Sequence, residues 1–257
     1  MMGIKTKALL LSSIPVRESD LIVIFFTEKL GKTRALAKGA PRSKKRFLGI
    51  LLELNELLIE LEPSKSQEFP FRLQVADLIK SRWRISKEPA KLAGASVLAE
   101  IIESSMQELV PDEELYSILN LAIEQILASK NFYPYFFNSL FRIFSHLGLK
   151  PSLYICVNCE RRISDREKNF YFDIAKGGLI CEKCADSSRR KIPLDKSLVK
   201  SLRALDRFPI SKAERIKFLT ADLKTALEIF QQFSAWHLPR PVKSFEVLKA
   251  LIFEKTN

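Results

Sequence analysis

All four cysteines of the 257-residue chain lie in two CxxC pairs, Cys156–Cys159 and Cys181–Cys184. A spacing of two residues lets both sulfurs of a tight turn face one ion, and two such turns supply a tetrahedral thiolate shell for Zn²⁺. Because four thiolates leave no coordination position for water, such a zinc ion is structural rather than catalytic. The pairs therefore predict a metal element at about residues 152–188.

The segment between the two pairs favours a zinc ribbon. Phe170 to Ile174 is typical of a short strand, Lys176-Gly177-Gly178 of a turn, and the residues after it of a return strand. Two disulfides are the alternative. The sequence opens without a signal-peptide pattern and has no cysteines elsewhere, so we expect metal ligation instead.

Other residues that could support catalysis are few. His146 and His237 are the two histidines, and each stands alone near the end of a predicted helix, where a core or capping role is more common than a catalytic one. No acidic cluster has the spacing of a Mg²⁺ site. Gly31-Lys32-Thr33 resembles the end of a phosphate-binding loop, but Phe26 occupies the position where that loop needs glycine. We therefore expect no enzyme and no nucleotide cofactor.

Composition favours a polyanionic partner. The net charge is +12 and the isoelectric point is about 9.5, whereas no apolar run approaches the ~20 residues of a membrane span. Basic residues outnumber acidic ones by 14 to 9 in residues 1–80 and by 17 to 9 in residues 150–217, whereas residues 81–149 contain 6 basic and 8 acidic residues. The positive charge is thus concentrated in two regions.

The first eighty residues predict five short strands separated by turn signals such as Ile14-Pro15 and Lys29-Leu30-Gly31. The predicted strands are Ile4 to Ser13, Leu21 to Thr27, Lys32 to Lys38, Ile50 to Leu61 and Phe71 to Ile79. Since no long helix interrupts them, we expect a small closed barrel of the OB-fold type. With a two-residue period, Lys32, Arg34 and Lys38 share the outward face of the third strand, a face on which OB-folds often bind oligonucleotides.

This strand and the loop after it form a run of eight basic residues without an acidic one. The run comprises Lys29, Lys32, Arg34, Lys38, Arg42, Lys44, Lys45 and Arg46. A charge run is usually a solvated face, but the division between strand and loop favours a surface that contacts the DNA backbone rather than base edges. Phe25, Phe26 or Phe47 could add a stacking surface, although most such residues belong to a core.

After Trp83 the apolar spacing becomes helical. The predicted helices are Lys91 to Glu108, a second opened by Pro111-Asp112 with Asp112 as N-cap, Pro134 to Leu147, Asp195 to Phe208, and Ser211 to Trp236. The third carries an aromatic stripe that predicts a core, although a partner-binding groove would have the same pattern. Together these patterns predict an α+β chain, with an OB-fold barrel over residues 1–80. An α-helical domain over residues 81–257 would carry the inserted zinc-ribbon element.

Several residue blocks, in this order, resemble the RecO family of bacterial recombination mediators. They are Leu10-Leu11-Ser12-Ser13, Arg17-Glu18-Ser19-Asp20, Phe26-Thr27-Glu28-Lys29, Gly31-Lys32, Ala37-Lys38-Gly39-Ala40 with Arg42, His146-Leu147-Gly148-Leu149-Lys150-Pro151 before Cys156, and Arg240-Pro241-Val242-Lys243-Ser244. The blocks span nearly the whole chain, which makes the resemblance specific.

The resemblance implies a protein of DNA repair that binds single- and double-stranded DNA and anneals complementary strands. It also implies association with RecR and with the acidic tail of the single-stranded DNA-binding protein. With RecR, such a protein helps to load the RecA recombinase at gaps, in the cytoplasm and at the nucleoid.

Two other functions are compatible with the residues. One is a zinc-ribbon protein that binds RNA or acts as a scaffold in transcription or ribosome assembly, which a comparison of RNA and DNA affinities would separate. The other is a hydrolase or nuclease with an unrecognised site, which an activity screen with divalent metals would detect.

Overall fold

The computed structural model describes residues 3–16, 19–40, 43, 47, 49–66, 69–186 and 188–253. The chain divides into two compact units, residues 1–123 and 124–257. The first unit therefore contains helical residues in addition to the strands of the first eighty residues.

The predicted five-stranded barrel is confirmed. Its strands are β1 (Ile4–Val16), β2 (Asp20–Thr27), β3 (Gly31–Ala37), β4 (Glu56–Pro63) and β5 (Phe71–Lys80). They close in the order β1-β2-β3-β5-β4, and all neighbours are antiparallel except β3 and β5, which pair in parallel at Ala35–Phe71 and Leu36–Arg72. Alternating residues fill the barrel, so that the small Ala35 and Ala37 share the interior with Phe25 and Ile59.

The fourth strand begins later than predicted. Residues 50–55 lie before it, and Leu54 among them has a φ of 69°, a left-handed conformation that regular strand backbone does not adopt. Leu54 N–H donates to Leu10 O at 2.8 Å, which fixes this turn on β1.

Three helical segments follow the barrel, and the last of them continues past residue 123 into the second unit. A 3₁₀ helix at Trp83–Lys87 precedes α1 (Pro89–Ser105), and α2 (Glu113–Ala128) follows. Asp112 caps α2 as predicted, since its Oδ1 accepts a hydrogen bond from Leu115 N–H at 2.9 Å. The predicted first helix ends too late, because residues 106–110 leave the helix and extend beside β3, where Leu109 N–H donates to Lys32 O at 2.9 Å.

The second unit contains the later part of the predicted helical region, from residue 124, and the metal element. Its elements are α3 (Tyr133–His146), β6 (Phe170–Asp173), β7 (Gly178–Ile180), α4 (Glu182–Ala185), β8 (Lys191–Leu194), α5 (Lys196–Arg207), α6 (Thr220–His237) and α7 (Ser244–Phe253). The predicted continuous helix from Ser211 is wrong: Ile210–Arg215 is a 3₁₀ helix, and Ile216 and Leu219 have extended backbone before α6 begins. The elements α4, β8 and α7 were not predicted from the sequence.

The aromatic stripe of α3 is core, as predicted. Phe136, Phe137, Phe141 and Phe144 are at most 2% exposed, and Phe230 of α6 contacts Phe137, Phe141 and Phe144 with ring centroids 5.2–6.2 Å apart. The stripe is therefore covered within its own unit rather than offered as a groove. Among the described residues, no helix combines the length and hydropathy that crossing a membrane requires.

The packing of residues 106–110 on β3 gives a testable requirement for Gly31. Its φ is +67°, and a Cβ at this position would lie 1.8 Å from Val110 O. Gly39 has a similar φ of +65° with nothing within 4 Å of such a Cβ, so it is a matched control. We expect Gly39→Ala to lower the free energy of unfolding by about 1 kcal/mol, and Gly31→Ala to lower it by about 3 kcal/mol or more, because a backbone clash is added.

Urea unfolding of both variants, with hydrogen exchange of the Leu109 amide, measures this difference. Equal destabilisation by the two variants would contradict the close approach of Val110 to β3.

Candidate metal centre and nucleic-acid interface

The four cysteine sulfurs converge on one point in the second unit. All four lie within 4.8 Å of one another, and Cys159 Sγ is 3.8 Å from Cys181 Sγ. Cys156 and Cys181 are buried, whereas Cys159 is exposed and Cys184 is half-buried. Four thiols at this spacing can hold one metal ion.

Local backbone geometry produces this convergence. The first pair lies in a turn in which Glu160 N–H donates to Cys156 O, and Glu160 has a φ of 59°. Cys181 directly follows β7, and α4 starts directly after it, so that Cys184 N–H donates to Cys181 O at 3.0 Å. Gly178 allows the second CxxC hairpin to pack on the turn of the first pair. A Cβ at Gly178 would lie 2.6 Å from Val157 Cγ1, so only glycine permits this packing.

The electrostatics of the cluster suit a bound cation. Burial raises the pKa of the Cys156 thiol, but hydrogen bonds from the backbone N–H groups of Cys181, Cys159 and Asn158 outweigh it and lower the pKa to about 6. The pKa of Cys181 is also lowered. Burial raises it, but hydrogen bonds, including one from the guanidinium of Arg161, outweigh the effect of burial. The pKa of Cys184 is raised to about 12, chiefly through its hydrogen bond with Cys181. A positive ion at the centre would allow all four sulfurs to ionise.

The structure places the four described cations of the N-terminal basic run in different environments. Lys29 and Lys38 are exposed. Lys32 is only 8% exposed, and its Nζ donates to Glu103 O at 2.8 Å, at the end of α1. Arg34 Nη2 pairs with Glu108 Oε1 at 2.9 Å.

The expectation that Lys32 faces solvent is therefore wrong. Its side chain does point away from the barrel interior, as the strand period predicts, but residues 103–110 cover that face. The loop cations Arg42, Lys44, Lys45 and Arg46 lie outside the described residues. Phe25, Phe26 and Phe47 are at most 3% exposed, so they belong to the core and offer no stacking surface.

The second basic region contains several cations that are already engaged. Lys150 Nζ pairs with Asp206 at 2.7 Å, Arg161 pairs with Glu167 at 2.8 Å, and Arg203 pairs with Asp165. Arg203 also donates from Nε to Leu153 O at 2.8 Å and from Nη2 to Ile163 O at 3.0 Å. Arg203 thus anchors the metal element to α5. No sequence pattern indicates this role, because the contacts join residues 38–50 positions apart.

His237 has a structural environment. Its Nε2 donates to Ile174 O at 2.9 Å, and its ring lies 4.3 Å from the ring of Phe233. This matches the core or capping role that its position at a helix end predicts.

Comparisons with known proteins cover almost the whole chain. One family model, described as Recombination protein O N terminal, matches residues 1–82, and another, described as Recombination protein O C terminal, matches residues 86–246. A protein named DNA repair protein RecO from Desulfatibacillum aliphaticivorans is 33% identical over 256 residues, which cover 96% of this chain and 97% of the relative. A protein of the same name from Desulfosudis oleivorans is 30% identical, with coverage of 98% and 99%.

Proposed function

Because the chain belongs to the RecO family of DNA repair proteins, we propose that it is a DNA-binding recombination mediator that anneals complementary strands. The observation that carries this proposal is that the two family models together cover nearly the whole chain: the first ends at residue 82, just after β5, and the second runs from residue 86 to residue 246. With RecR, the protein would help to load RecA onto DNA coated by the single-stranded DNA-binding protein.

Annealing needs a surface that reduces the repulsion between two phosphate backbones without covering the base edges. Exposed lysines and arginines do this, because they contact phosphates and carry little sequence information. Base pairing itself supplies the driving force, so the reaction needs neither a nucleotide nor a catalytic group. The two basic regions, at residues 29–46 and 150–217, would each hold one strand. The protein would work at the nucleoid, in the cytoplasm.

Within the first region, the burial of Lys32 and the ion pair of Arg34 shift the expected DNA contacts to the other cations. We propose that Lys29, Lys38, Arg42, Lys44, Lys45 and Arg46 make the phosphate contacts. Lys32 and Arg34 would instead hold the outer side of β3 against residues 103–108. The acidic central helices would remain for protein partners such as RecR, whereas the acidic tail of the single-stranded DNA-binding protein would dock on cations.

The metal of the cysteine cluster is, in this proposal, a structural Zn²⁺. A tetrahedral thiolate site with Zn–S bonds of about 2.3 Å has sulfurs about 3.8 Å apart, which is the Cys159–Cys181 separation. We predict about one zinc ion per purified chain, bound by Cys156, Cys159, Cys181 and Cys184. Substituting Co²⁺ should give the absorption spectrum of a tetrahedral tetrathiolate site, and Cys159→Ser should change that spectrum.

Metal analysis and cobalt spectroscopy measure this directly. Protein prepared without chelator that holds no zinc, and that shows four freely titratable thiols, would contradict the proposed site.

The DNA contacts of the first region can be tested by charge removal. We predict that replacing Arg42, Lys44, Lys45 and Arg46 with alanine weakens binding to unrelated DNA sequences to a similar extent. The slope of log affinity against log salt should fall by about 0.7–0.9 for each phosphate that the variant no longer neutralises. A matched control removes four exposed cations elsewhere, through Lys65→Ala, Arg84→Ala, Lys87→Ala and Lys130→Ala.

Fluorescence anisotropy with labelled oligonucleotides over a salt series gives both affinity and slope. If the loop variant and the control variant bind alike, the loop does not contact DNA; tighter binding to RNA than to DNA would argue against a role in recombination.

A further inference from the structure

A cavity of about 710 Å³ in the second unit is lined by α5 and by residues 162–166 of the metal element. We call it the α5 cleft. The charged residues of its lining are Arg162, Asp165, Arg166, Lys200, Arg203 and Arg207. Five cations and one carboxylate in one cleft give a strongly positive local potential.

Arg203 and Asp165 hold the cleft together rather than contribute to its net charge. They form an ion pair, and the Arg203 guanidinium also donates to two carbonyl groups of the metal element, Leu153 O and Ile163 O. The remaining four cations, Arg162, Arg166, Lys200 and Arg207, have no carboxylate partner within the described part of the chain. The cleft therefore carries an uncompensated charge of about four.

The α5 side of the cleft has a regular spacing. Lys200, Arg203 and Arg207 line the cleft, and Lys196 lies one turn before them, outside the lining. The four recur at intervals of four, three and four residues, which places them on one face of the helix. The opposite face is buried in the core. At a rise of about 1.5 Å per residue, the basic face is about 16 Å long, and a nucleic-acid strand carries several phosphates over that distance.

The ring of Tyr154, which lines the cleft, is covered by two arginine side chains. The guanidinium carbon of Arg207 lies 4.7 Å from the ring centroid of Tyr154, and that of Arg203 lies 5.2 Å from it. Tyr154 OH donates to Arg203 O at 3.0 Å, which fixes the ring. The cation–π contact orients Arg207. The apolar Ile163, which also lines the cleft, is only 4% exposed.

We propose that the α5 cleft binds the phosphodiester backbone of a single DNA strand and forms the second phosphate site of the protein. This rests on the proposed function, which requires two strands to be held at once. Arginines with oriented guanidinium groups bind phosphate oxygens in pairs. An acidic peptide would also need open apolar pockets for its side chains, and the covered Tyr154 ring and buried Ile163 do not provide them. The bases of the bound strand would remain accessible for pairing.

The test compares a cleft variant with a matched control. The cleft variant carries Arg162→Ala, Arg166→Ala, Lys200→Ala and Arg207→Ala, with Arg203 left intact because it holds the fold. The control variant carries Lys65→Ala, Arg84→Ala, Lys87→Ala and Lys130→Ala, which removes the same charge from exposed positions outside both basic regions and outside the cleft lining. Anisotropy is measured with labelled oligo(dT), the equivalent RNA, a DNA duplex and an oligoglutamate peptide over a salt series.

We expect the cleft variant to bind oligo(dT) at least about tenfold more weakly, with a salt slope lower by about 2–3. The control should stay within about threefold of the wild type. Equal weakening in both variants, or unchanged binding by the cleft variant, would overturn the proposal, as would an effect confined to the peptide. An effect confined to the RNA or to the duplex would overturn the assignment to single-stranded DNA.

Two further results keep the test decisive. If the wild-type chain binds no DNA, the proposed function fails as well; if it binds DNA and the cleft variant binds equally, only the cleft proposal fails. If the quadruple variant loses its metal or its circular dichroism spectrum, the single substitution Lys200→Glu replaces it. This side chain is exposed, so reversing its charge should weaken oligo(dT) binding without unfolding the chain.

Discussion

The contact between β3 and the segment that follows α1 determines how the barrel can be used. Val110 O approaches Gly31 so closely that no side chain fits there, Leu109 N–H donates to Lys32 O, and Lys32 Nζ donates to Glu103 O. Because these bonds cover part of the outer face of β3, a strand that would otherwise present a row of cations exposes less charge than its sequence indicates. The phosphate-binding role therefore falls, in the proposed function, on the exposed Lys29 and Lys38 and on the loop that follows.

The cysteine cluster is the equivalent constraint in the second unit. The metal element buries apolar side chains such as Phe170 and Leu179, and a bound ion would in addition hold its two CxxC turns and its hairpin together. Arg203 then fastens the element to α5 through two carbonyl groups and Asp165. One consequence is that a structural ion, although closed to substrates, would fix Arg162 and Arg166 opposite the basic face of α5. The zinc would thus support DNA binding without contacting DNA.

Local patterns predicted much of this molecule. The strand period and turn signals predicted the barrel, the CxxC spacing predicted the cysteine cluster, and the aromatic stripe of α3 predicted the core. The errors arose where a residue's environment is set by distant parts of the chain. The burial of Lys32 depends on residues about seventy positions away, and the role of Arg203 depends on carbonyl groups of the metal element. Residues 106–108 were assigned to a helix because their apolar spacing fits one, but β3 offers this segment hydrogen bonds in an extended form. In the same way, β8 becomes a strand because it pairs with β6.

The central claim is that this chain brings two DNA strands together by charge alone. The most direct test is the annealing of complementary strands coated with single-stranded DNA-binding protein, measured with and without this protein, in the absence of ATP and with divalent metal chelated after zinc has been loaded. We expect faster annealing with the protein, inhibition by salt, and a slower rate when the cations of either basic region are removed. Annealing that required ATP, or that continued unchanged after both regions were neutralised, would contradict it.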